Sequence, residues 1–282
     1  MRLKTELSTF QSSSVVSMTT SPAHQLTIER ALNDGWAAFK RAPWLFVGFF
    51  LLGWVLSQIG SLIPVVGVVI AVLVNLWITA GLVRGSWIAL EGGTPQFDDF
   101  TRLDWPAIGR LFSRQLVLSV LVALILLAAS ALAFILIGAP SQISDLISHS
   151  MNSQMSNSEL EAAALTTLDL LRVNALTNPL VWLIVLLTSV IGIVLQVNQA
   201  FLSFIALLDG RGPIATIRHG MAVVNPQWWQ VLVLLLMQGV IVIIGLFLFC
   251  VGVLAAVPLC VCINGAAYRQ LFGTEDQAGL LT

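Results

Sequence analysis

Residues 116–139 read LVLSVLVALILLAASALAFILIGA, 24 consecutive positions without an ionisable side chain. As a helix this run would be about 36 Å long, more than the ~30 Å of hydrocarbon in a bilayer. Inside lipid a helix bonds its own backbone N–H and C=O groups, which an open strand or loop cannot do. Moving outward, comparable apolar runs occupy 44–63, 65–83, 179–208, 231–250 and 252–271. The chain is 57% hydrophobic and 10% charged, too little polar surface to clothe a soluble domain of 282 residues. The expected fold is all-α, a polytopic membrane protein with six transmembrane helices.

Charge distribution sets the expected orientation. Arg2, Lys4, Arg30, Lys40, Arg41, Arg84, Arg102, Arg110, Arg114, Arg211, Arg218 and Arg269 fall in the N-terminal segment, the second and fourth connections, or the C-terminal end, and Arg172 is the exception. The positive-inside rule then puts both termini in the cytoplasm, as for an integral protein of a bacterial inner membrane. Trp44, Trp87, Trp228 and Trp229 are expected at the inner interface and Trp182 at the outer one. Residues 1–25 contain no continuous apolar core of a secretory signal, so the first helix is expected to direct its own insertion. The Ser/Thr-rich stretch Ser8–Ser21 is expected to be a disordered tail over 1–21, with Met18 an alternative start.

Residues 35–84 align with 220–269 at a constant offset of 185, with fourteen of fifty positions identical, among them Gly35, Trp44, Gly60, Gly67 and Arg84. Helices 1 and 2 thus correspond to helices 5 and 6, and four crossings between the copies make the repeat parallel. Matching junctions before Pro95 and Pro213 announce a fainter third copy. The expected unit is an interfacial amphipathic helix opened by Pro22, Pro95 or Pro213, followed by a transmembrane hairpin. The units are 22–94, 95–212 and 213–273, within one membrane domain over 22–273 and before a tail at 274–282. Ile28, Leu32, Trp36 and Phe39, and Ile214, Ile217, Met221 and Val224, carry the helical spacing of two of these interfacial segments.

The stretch Gly35-Trp36-Ala37-Ala38-Phe39 with Pro43-Trp44, and the run Gly245 to Arg269 with Gly252, Pro258 and Tyr268, resemble bacterial six-helix membrane proteins of unknown function. These are related to the membrane domain found in some glycerophosphodiester phosphodiesterases. The resemblance covers most of 22–273 and implies fold and location. In the fused enzymes catalysis belongs to a separate soluble domain absent from this sequence, so it does not carry over the activity.

Polar residues within the apolar runs are the candidate functional positions. Ser189, Gly192, Gln196, Gln199 and Ser203 share one face of the fourth helix, which is expected to point into the bundle. That helix, 30 residues over 179–208, must tilt, kink or project. Gln58, Asn75, Thr79, Gln238 and Asn264 add amides and a hydroxyl that need partners in hydrocarbon. Arg84 and Arg269, equivalent in the repeat, are expected to snorkel to lipid phosphate as headgroup contacts and to form a shared charged rim. Gly53, Gly60 and Gly67, matched by Gln238, Gly245 and Gly252, form a seam for close helix packing.

The external connection 140–178 is expected to be polar over Ser141–Ser158 and then helical. Ser158 and Glu161 are read there as a capping box, and Leu160, Ala164, Leu168 and Leu171 as an apolar face. No zinc-binding histidine motif, Walker loop or nucleophile elbow occurs. Cys250, Cys260 and Cys262 read as apolar fillers, neither disulfide nor metal ligands. The sequence thus predicts no catalytic residue, no metal and no cofactor. It predicts a noncatalytic module binding membrane lipids or another membrane protein, with no nucleic-acid partner. The alternative is a facilitator for a small neutral solute.

Overall fold

The computed structural model describes residues 25–61, 66–152, 156–209, 212–248, 251–274, 276 and 278–280. The segment Ser8–Ser21, Pro22, His24 and Cys250 lie outside the described residues. Within them every regular element is helical. The helices are α1 (Ile28–Arg41), α2 (Pro43–Ser61), α3 (Val66–Leu90), α4 (Phe97–Thr101), α5 (Trp105–Leu136), α6 (Ala139–Asn152) and α7 (Asn157–Thr177). They continue with α8 (Pro179–Asn198), α9 (Leu202–Leu208), α10 (Pro213–Val224), α11 (Trp228–Phe247) and α12 (Val251–Phe272), a 3-10 turn at Asn225–Gln227 preceding α11. Six stretches among them are long and apolar enough to cross a membrane: Pro43–Gly60, Gly67–Leu90, Trp105–Leu136, Pro179–Leu208, Ile214–Phe247 and Gly252–Phe272. The protein is therefore built as an integral membrane protein.

The core lies between α3, α9 and α12. The short helix α9 is apolar except at Ser203, and Leu202 and the run Phe204–Leu208 are all buried, as expected of a helix largely enclosed by others. Tyr268 of α12 stacks on Phe204 and on Phe272, ring centroids 5.6 and 4.7 Å away. A second cluster joins Phe39, Phe46, Phe49 and Phe100 to Cys262. The fourth crossing, which its length obliged to tilt, kink or project, breaks: α8 ends at Asn198, and α9 begins at Leu202. By contrast α5, 32 residues or about 48 Å long, leaves its apolar window exposed and packs chiefly on α8.

Small residues decide which faces meet. On α1 the buried face is Ala31, Gly35, Ala38 and Phe39, while Trp36 points outward at 48% exposure. A Cβ on Gly35 would stand 2.6 Å from the Ile263 backbone, so α1 lies directly on α12. On α10 the buried residues are Thr216, Gly220 and Val224, and Ile214 is exposed. The faces toward the bundle are thus the small ones, because association in lipid rewards close approach more than apolar bulk. Gly245 and Gly252 meet backbone to backbone across α11 and α12, with Gly60 near Gly67 in the first pair of helices.

Several local expectations change. Trp87 is fully buried, its indole N–H donating to Glu91 at 3.0 Å, and so is no interfacial anchor, whereas Trp44 and Trp182 are exposed. In the 140–178 connection helix α6 already starts at Ala139, carried by Ile143, Leu146 and Ile147 at helical spacing. The capping box lies two residues earlier than expected. Ser156 accepts from the Glu159 N–H, and Glu159 accepts from the Ser156 N–H at 2.8 Å. Leu160 and Leu168 are exposed, while Ala163 and Thr167 turn toward α6. Asn174 and Asn178 donate side-chain N–H groups to Ile137 and Leu136, closing the C-terminal carbonyls of α5.

Candidate functional site

The two arginines expected to form a rim do different jobs. Arg84 is 2% exposed. Its Nε donates to the Leu280 carbonyl at 3.1 Å, and Nη1 donates to the carbonyls of Asp99 and Arg102 at 3.2 and 3.1 Å. Its Nη2 faces the Asp104 carboxylate at 3.7 Å. The side chain therefore does not snorkel to a headgroup, because the 97–104 segment and the C-terminal tail wrap it with carbonyl oxygens. That tail is part of the core: Leu280 is buried, and Ala278 N–H donates to the Leu208 carbonyl at 2.9 Å. Arg114, which the sequence offered only as an inner charge, is also buried and donates to the Ile205 carbonyl.

Arg269 instead opens onto a cavity of about 680 Å³ between α1, α12 and the end of α3. Helix α1 contributes Arg30, Asp34 and Arg41 at spacings of four and seven, which fall on one face. Helix α12 contributes Arg269 and Gln270 from successive positions. Ala37, Ala38, Ala89 and Ala266 line it with minimal bulk, leaving the space between the guanidinium groups unfilled.

Three guanidinium groups share this cavity with one carboxylate. Arg30 pairs with Asp34 at 3.6 Å, both well exposed. Among the described residues no hydrogen bond or ion pair engages the guanidinium group of Arg41 or Arg269. The Arg269 guanidinium lies 5.4 Å from the Trp87 ring centroid, a cation–π contact that leaves its N–H groups available. Gln270 accepts the Thr27 N–H at 2.8 Å, and its Nε2 is buried with no hydrogen-bond partner. An excess of fixed positive charge, planar N–H forks and a spare amide donor suit an anion with several oxygens, a phosphate above all.

The polar stripe is divided. Ser189 is exposed and donates its hydroxyl to the Val185 carbonyl of its own helix at 2.7 Å. Gln196 and Gln199 border a groove of about 270 Å³ between α5 and α8. The break after Asn198 carries Ser203 away from them to a different groove, with Asn75 and Thr79. Asn264 is elsewhere again, its Oδ1 accepting from Gln238 Nε2 at 2.7 Å. The expected inward face is thus not a continuous path, because α8 is peripheral and packs mainly on α5.

Cys260 and Cys262 are free thiols. Among the described residues no group of three or more His, Cys, Asp or Glu side chains is placed to hold a metal ion. Comparison with protein-family models, with curated proteins and with solved structures returns no match. Arg30 and Arg41 entered the sequence reading only as charges that set the orientation, and Gln270 did not enter it. Their only signal was the spacing of Arg30, Asp34, Ala37, Ala38 and Arg41 on a helix whose opposite neighbours are small.

Proposed function

We propose that this protein is a noncatalytic membrane module that holds the anionic headgroup of a lipid in the Arg30–Arg41–Arg269 cavity. The observation that carries the reading is the pair of unengaged guanidinium groups, one from α1 and one from α12, facing the same alanine-lined space. In the orientation expected from the positive-inside rule the cavity lies at the cytoplasmic face, where anionic lipids supply phosphate. Helix α1 then lies in the interface with its small face on the bundle and Trp36 on the outer side. The parallel repeat is part of this proposal. The backbone contact of Gly245 with Gly252, and the packing of Gly60 on Ile70 with the Gly67 carbonyl beside it at equivalent positions, support it. So does the resemblance to the six-helix membrane domain, whose motif residues Gly35, Gly252 and Tyr268 all sit at packing contacts.

The test is native mass spectrometry of the full chain extracted gently from its membrane, with phosphatidylglycerol and phosphatidylcholine added at equal concentration. Wild type should retain one phosphatidylglycerol in preference. Arg41→Gln with Arg269→Gln should weaken it by roughly tenfold to a hundredfold, ~1.4–2.8 kcal/mol in all, since each of the two lost charge-assisted contacts is discounted for its partial exposure to water. Equal retention of both lipids, or no effect of the double substitution, would refute the reading. A stoichiometric protein partner in place of lipid would point to a scaffold.

A further inference from the structure

A second, chemically different groove lies within the spanning part of the bundle. It has a volume of about 470 Å³ between α3 and α5, and Ser203 of α9 forms part of its lining. Asn75 and Thr79 face it from α3, and Gln115 and Ser119 from α5, each pair separated by four residues and so by one helical turn. Asn75 is nine residues, or about 13.5 Å, along α3 from Arg84. Both amides belong to membrane-spanning stretches, and both are exposed.

Their hydrogen bonding is incomplete. Thr79 donates its hydroxyl to the Asn75 carbonyl at 2.8 Å, satisfying itself on its own helix. Among the described residues, no protein group hydrogen-bonds the side-chain amide of Asn75 or Gln115. Polar groups left without partners in hydrocarbon are costly, so whatever lies in this groove should offer both acceptors and donors. No Asp, Glu, Lys or Arg lines it, and the walls between the polar residues are Val72, Leu76, Leu111, Phe112 and Leu116. A phosphate would be desolvated there without a counter-charge.

We propose that this groove binds an uncharged, membrane-embedded lipid bearing a hydroxyl and ester carbonyls, of the diacylglycerol class. Its ester carbonyls accept from the amide N–H groups of Asn75 and Gln115, its hydroxyl donates to an amide oxygen, and its chains follow the apolar walls into the bilayer. The volume falls within the ~300–1,000 Å³ typical of small-molecule sites. This site is independent of the guanidinium cavity in both position and ligand chemistry.

The experiment uses the full chain in micelles with dioleoylglycerol and phosphatidylglycerol as probes, read by native mass spectrometry. Wild type should carry dioleoylglycerol, and Asn75→Leu with Gln115→Leu should reduce that adduct about tenfold, since two intramembrane hydrogen bonds are removed. The phosphatidylglycerol adduct should be unchanged in that variant, and Arg41→Gln with Arg269→Gln should give the reverse pattern. Gln115→Leu alone, the milder change, should lower the adduct by a smaller factor. Absence of dioleoylglycerol from the wild type, or an undiminished adduct in both leucine variants, would overturn the proposal. So would a shift from dimer to monomer on leucine substitution, which would make the groove a contact between helices of two copies.

Discussion

Replacing Arg84 with alanine should loosen the place where the C-terminal tail and the 97–104 segment close on α3. The guanidinium makes three hydrogen bonds to carbonyl oxygens and is 2% exposed, so its removal leaves the carbonyls of Leu280, Asp99 and Arg102 without that donor. At ~1.5–3 kcal/mol for each bond to a charged donor, simple addition would overshoot, because one side chain makes all three and water can reach the freed groups. The loss measured when one member of a buried charged network is removed, ~3–5 kcal/mol, is the better guide. The Asp104 carboxylate at 3.7 Å, 23% exposed, adds no more than ~1 kcal/mol. Arg84→Lys should recover less than half, since a single ammonium cannot span carbonyls from two segments. Equilibrium unfolding of the full chain in micelles measures the loss, and carboxypeptidase trimming reports whether Leu280 is released. Arg269→Ala serves as the contrast, costing about 1 kcal/mol or less, since it removes only a cation–π contact. If Arg84→Ala stays within ~1 kcal/mol of wild type and the tail stays protected, the clamp is wrong.

Gly35→Ala should destabilise the protein by ~1–3 kcal/mol, because the new Cβ would lie 2.6 Å from the Ile263 backbone. Gly239→Ala, where nothing lies within 4 Å, should be neutral or stabilising by up to ~1 kcal/mol, and thermal unfolding of the pair checks both. A double-mutant cycle between Gln238→Leu and Asn264→Leu should return a coupling of ~0.6–1.7 kcal/mol for their 2.7 Å bond. A value near zero would mean that each amide finds another partner. The Glu159 carboxyl is held below its ordinary range by the Ser156 N–H and hydroxyl. A depressed carboxylate stabilises above its unfolded value, so the first turn of α7 should keep its cap at neutral pH and lose it as pH falls through the lowered value. Hydrogen exchange at the start of α7, compared with Glu159→Gln across that range, reads the effect.

Much of the architecture follows from the chain alone, because hydrocarbon imposes its demand on each segment separately. A run such as 116–136 must be helical whatever it packs against, and six stretches of spanning length emerge accordingly, although the chain turns at Gly138 before the apolar run ends. That the fourth crossing could not stand straight within the bilayer was legible for the same reason, as 30 residues exceed it, whereas the break itself was not, since the longer α5 stays whole. What a side chain touches is not a segmental property. Arg84 and Arg269 look alike in sequence and fall opposite each other when 35–84 is laid on 220–269. Only the folding back of the 97–104 segment and the C-terminal tail turns one into a buried clamp and leaves the other open beside Arg41. The stripe on the fourth helix failed in the same way, since its direction depended on α8 lying at the edge of the bundle. Periodicity locates a helix and its faces. Whether a face meets lipid, protein or an open cavity is settled by neighbours distant in sequence, and here by how closely glycine and alanine let α1 approach α12.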